Sequence, residues 1–118
     1  MNTRTAEMMP PKAVSEKASV MTPTNAIAKV RFSSAKAQRV HLAQCEGLAA
    51  ELLCLEGGQQ LRIKSEAAVL YIILGTAEVS AGDQTVTLQT GYVFAPGTAF
   101  TLANAGEHRL VCLTCQAA

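Results

Sequence analysis

Chemistry needs particular side chains, and this chain offers few. Cys112 and Cys115 have the two-residue spacing of zinc knuckles and thiol redox motifs. Such motifs place both sulfurs on a turn or a helix start, where they converge. Here the pair lies in an apolar run that reads as a strand, and an odd separation along a strand sends the two sulfurs to opposite faces. With no second Cys or His pair of matching spacing, Cys45, Cys54, Cys112 and Cys115 read as packing residues. The two histidines, His41 and His108, are far apart and read as surface or satisfied core residues. Tyr71 and Tyr92 could act as general acids if a base such as His41 reached the same substrate. Gly57-Gly58 lacks the lysine-serine and helix of a phosphate-binding loop.

Composition narrows the field further. The 118 residues suffice for one domain with a real core. Ten basic and nine acidic side chains leave a net charge of +1, and there is no tryptophan. Nucleic-acid binding, which needs a basic stripe with aromatic platforms, is therefore not expected. No stretch approaches the ~20 apolar residues of a membrane helix. All four methionines and three of the four prolines fall before residue 25, whereas every aromatic and every glycine lies after residue 30. Residues 1–26 thus read as a disordered tail, unable to offset their own ordering entropy. No apolar run follows Arg4, so the tail is not a secretory signal, and Met21 is a candidate start. The expected compartment is the cytoplasm, with the cysteines reduced.

From residue 27 to 118 short apolar runs alternate with turn residues. Ala28–Phe32 and Arg39–Leu42 are candidate first strands, followed by Leu48–Leu55, Gln60–Lys64, Val69–Leu74, Ala77–Ala81, Gln84–Leu88, Tyr92–Ala95, Thr98–Ala103 and His108–Cys115. Evenly spaced strands with glycine turns indicate an all-β sandwich or barrel. Two segments also fit a helix: Ser34–Gln44 by propensity, and Leu48, Leu52 and Leu55 by spacing. Val69–Leu74 is apolar on both faces, as in a strand covered on both sides.

The stretch from Gly57 to Gly75 resembles the first motif of the cupin family, in which two histidines and a glutamate stand between glycines. Gly91 to Asn104, with Pro96 and Gly97 inside it, resembles the second, which carries a further histidine. Residues 55–115 carry the resemblance. It implies a double-stranded β-helix, or jelly-roll barrel, and a homodimer. In the family those four side chains hold a divalent metal, through imidazole and carboxylate ligands converging from neighbouring strands. Here the glutamate position is Ala68 and the second-motif histidine position is Phe100, so neither a metal nor another cofactor is expected.

The position of the first-motif histidine pair depends on which glycine anchors the count. In one register Arg62, Lys64 and Glu66 point into the barrel, where Lys64 and Glu66 would replace the metal with an ion pair or anion site. In the other, Leu61 and Ile63 point inward and the charges face water, the arrangement favoured by the cost of burying unpaired charge. Three functions follow as expectations. The first is a metal-free barrel binding a small molecule in a pocket lined by Phe100, Leu102 and Tyr92, with Arg62, Lys64 and Glu66 contributing in the first register. The second is a metal-independent isomerase or lyase using Tyr71, Tyr92 or His41. The third is a homodimeric structural module whose barrel is filled, with Phe100 as its plug.

Overall fold

The computed structural model describes residues 21–118, so residues 1–20 of the expected tail lie outside the described residues. Among the described residues nine strands form two sheets, and every pairing is antiparallel. The five-stranded sheet runs β1 (Gln38–Cys45), β2 (Leu48–Leu55), β9 (Leu110–Ala117), β4 (Ala68–Leu74) and β7 (Val93–Phe94). The four-stranded sheet runs β3 (Gln60–Ile63), β8 (Phe100–Ala103), β5 (Ala77–Ala81) and β6 (Gln84–Leu88). No helix among the described residues is long and apolar enough to cross a membrane.

Period-two alternation builds the interior. Leu53 and Leu55 of β2, Leu70 and Ile72 of β4, and Leu110 and Cys112 of β9 face across to Ile63, Val79, Leu88, Phe100 and Leu102 of the second sheet, forming one buried cluster. The turns fit their residues. Ala81 pairs with Gln84, leaving a two-residue hairpin loop that opens on Gly82 at φ +63°, a conformation glycine adopts without strain.

The start of the domain differs from expectation. Residues 28–32 form no strand. A single 3-10 turn spans Ile27–Lys29, and Val30–Phe32 then lie unpaired across the outer face of the five-stranded sheet. Residues 34–44 are not helical either, because β1 begins at Gln38 and pairs along its length with β2, with a bulge between His41 and Ala43. Tertiary pairing outweighs the modest helix propensity of that segment. The same force makes Leu48–Leu55 a strand, with Leu52 on the outer face and Leu53 and Leu55 on the inner.

Candidate functional site

The strand β3 answers the register question. Leu61 packs against the core and Ile63 is wholly buried, whereas Arg62 and Lys64 are exposed. No inward charged pocket forms from Arg62, Lys64 and Glu66, since inward placement would strip those charges of water without partners. Arg62 Nη1 instead donates to Thr101 Oγ1 at 3.3 Å on the outside of the second sheet. Glu66 is exposed at the edge of a groove described below.

The family's ligand positions hold apolar groups that fill space. Phe100 pairs with Ile63 across β8 and β3 and has no solvent exposure. Leu102 is equally buried, and Ala68 faces the same interior from β4. Phe100 and Leu102 therefore belong to the core and line no open cavity, and Tyr92, half exposed, lies outside it. Among the described residues no group of three or more His, Cys, Asp or Glu is placed to hold a metal ion. The side chains present do not fit the metal of the family's motifs, because alanine and phenylalanine carry no donor atom.

Tyr71 and His41 do not come together. Tyr71 is an outward residue of β4, paired with Leu113, while His41 shares with its cross-strand partner Glu51 the opposite face of the sheet. The cysteine spacing gives what strand geometry requires: Cys112 faces the interior core and Cys115 lines an outer groove. Burial pushes the Cys112 thiol up to about 12, leaving it protonated and a poor nucleophile. Burial also raises Cys54, the Arg31 backbone N–H and charge acting in the other direction. Asn104, the second-motif asparagine, is a clamp: its buried Nδ2 donates to the carbonyls of Leu55 (3.1 Å) and His108 (2.6 Å), and its Oδ1 accepts from Gly106 N (3.1 Å).

Two features escape a reading of motifs. The first is a polar cluster on the inner face of β1, β2 and β9. Glu51 Oε1 accepts from Arg39 Nη2 (2.7 Å), Arg39 Nε (3.2 Å) and Gln116 Nε2 (3.1 Å). Beside it Thr114, the partner of Glu51 across β9, is wholly buried and its Oγ1 has no hydrogen-bond partner. A lone glutamate inside the apolar run of β2 was the only sequence signal. The second is an apolar trough on the outer face. A groove of about 470 Å³ is lined by Leu48, Val69, Ala95, Cys115 and Ala117, with Glu66 its one charged residue among the described residues. It shares Leu48 and Cys115 with a hollow of about 180 Å³ bounded by Ala43, Cys45 and Ala50. The signal there is that β2 and β9 are apolar at both parities.

No family model matches the sequence, and no curated protein matches it either. Solved structures do. A protein of Thermus thermophilus superposes with a TM-score of 0.71 at 20% identity, covering 82% of this chain and 97% of that one. An uncharacterized conserved protein with a double-stranded beta-helix domain from Klebsiella pneumoniae gives 0.69 at 18% identity, covering 79% and 86%. A cupin superfamily protein from Desulfitobacterium hafniense gives 0.66 at 19% identity, covering 82% and 91%. Strand order, filled interior and these likenesses together establish the fold of this chain as the cupin double-stranded β-helix.

Proposed function

We propose that this chain is a non-enzymatic barrel that works as a homodimeric module, associating through the outer face of its five-stranded sheet. The observation that carries the reading is Phe100, seated without exposure where a ligand-holding side chain would otherwise stand. A plugged interior supports neither a small molecule within the barrel nor catalysis there. Association has its own support. Leu48 and Val69 are exposed large apolar residues lining the trough, and Tyr71 and Val93, a cross-strand pair of β4 and β7, are exposed as well. Contiguous exposed apolar surface on a small domain is the mark of an interaction site. Among the described residues the trough carries a single charge, so little repels its own copy, and a two-fold axis would lay one patch against its equivalent. In the cytoplasm, the compartment this reading assumes, the four thiols stay reduced and the face stays uncrosslinked.

The trough is also of a size to take a small apolar molecule, which is the form small-molecule binding would take in this reading. Sedimentation equilibrium separates the two. The wild-type chain is expected to be dimeric at micromolar concentration, and Val69→Glu to weaken the dimer by roughly a hundredfold or more, since a carboxylate buried without a partner costs several kcal/mol. A wild-type chain that stays monomeric at hundreds of micromolar sinks the association reading. Zinc, iron, manganese or nickel that survives dialysis at one equivalent sinks the claim that the barrel works without metal.

A further inference from the structure

Part of the sheet's outer face is covered by the chain itself. Val30 and Phe32 pack with Leu42 and Ile73 against Val40, Leu52, Cys54 and Val111, a cluster separate from the interior core. Beyond that packing and the Arg31 backbone N–H directed at the Cys54 thiol, few contacts hold this cover down. Among the described residues, no backbone–backbone hydrogen bond joins residues 30–36 to a strand. Gln59 Nε2 donates to Ser33 O at 2.7 Å. The Arg109 guanidinium lies 4.4 Å from the centre of the Phe32 ring, and is itself held by Glu56 through Nε–Oε1 at 3.1 Å and Nη2–Oε2 at 3.4 Å. The Arg109 side chain is 58% exposed, so that ion pair is a weak restraint. The barrel beneath is held by paired strands within each sheet and by the core between the two sheets.

We propose that residues 30–33 form a releasable strap that opens while the barrel stays folded, joining the apolar surface beneath it to the trough through which two copies associate. The second half of this statement rests on the association reading above. The first half stands alone. A segment that joins no strand ladder can open below the cost of global unfolding, because its release breaks no sheet pairing. Continuity decides the occupant. Cys54, Leu52 and Val111 under the strap lie on the same outward face as Leu48, Ala50 and Cys115, so release extends one largely apolar surface, which carries Glu66, rather than creating a second one. A second copy already seated in the trough would gain the added contact.

Two buried thiols make the test direct. Cys54 lies under the strap and Cys112 in the interior core, on adjacent paired strands, and both have no exposure. Each reacts with iodoacetamide only from an opened state. In the full chain at pH 8, with alkylation sites located by tandem mass spectrometry, Cys54 is expected to react at least about tenfold faster than Cys112. Phe32→Ala should raise the Cys54 rate by roughly a further tenfold or more and leave Cys112 unchanged. Arg109→Gln should raise it by a smaller factor. Cys54 and Cys112 rates that are equal, or that rise together in Phe32→Ala, show that only the whole barrel opens and overturn the strap.

For the coupled half, Phe32→Ala should tighten association in sedimentation, and unchanged association alongside selectively faster Cys54 labelling overturns the coupling alone. A chain monomeric at all concentrations removes the association reading, while the labelling ratio still decides whether the strap opens.

Discussion

At the level of single residues the interior is more apolar than the cupin motifs would make it, and among the described residues it holds one misfit. Thr114 occupies an inward position of β9 between Glu51 on β2 and Leu70 on β4, with no exposure and no partner for its hydroxyl. Glu51, next to it, spends one carboxylate oxygen on Arg39 and Gln116. A buried hydroxyl without a partner forfeits its hydration for nothing, whereas a valine of the same shape has nothing to lose. Thr114→Val should therefore raise stability by about 1 kcal/mol, read as a higher urea midpoint with an unchanged slope. A loss of stability would mean that the hydroxyl is satisfied in solution and that the polar cluster extends to it.

Among the elements, the turns were the most legible part of the sequence. Leu48–Leu55, Ala77–Ala81 and Gln84–Leu88 are strands with the bounds their flanking glycines and alternation indicate. The inward direction of β3 was not legible from the motif, because its two anchoring glycines imply opposite parities. The packing of Ile63 against Phe100 settles what counting could not. The segment before β1 was misread for a related reason: Val30 and Phe32 have the apolar character of a strand but bury it without pairing, a choice made by the sheet they cover. Alanine substitutions at two glycines separate local conformation from close packing. Gly75 ends β4 at φ +95°, and a Cβ there would meet the Arg109 carbonyl oxygen at 2.5 Å. Gly58, at φ +84°, has nothing within 4 Å of a built Cβ. Gly58→Ala should cost only the backbone strain of about 1 kcal/mol, and Gly75→Ala at least about 2 kcal/mol, measured by thermal or urea unfolding. Equal costs would show that the approach of Gly75 to β9 relaxes freely.

For the whole molecule, the plugged barrel moves the question of function from the inside to the outside. The five-stranded sheet carries apolar residues on both faces: the inner set meets the second sheet, and the outer set is shared between the strap and the open trough. A dimer built on such a surface has a thermodynamic character that an ionic one lacks. With Glu66 the only charged residue lining the groove among the described residues, few ion pairs are available to screen. Raising sodium chloride from about 50 to about 500 mM should shift the dimer dissociation constant by less than roughly threefold, where an interface held by exposed ion pairs would weaken steeply. Burying apolar surface also removes heat capacity, so the enthalpy of dilution should change with temperature in the sense of a negative heat-capacity change on association. Dilution calorimetry at several temperatures and two salt concentrations measures both. A strongly salt-dependent dimer with little heat-capacity change would place the contact on the charged outer side of the second sheet, around Arg62 and Lys64, and leave the trough for some other occupant.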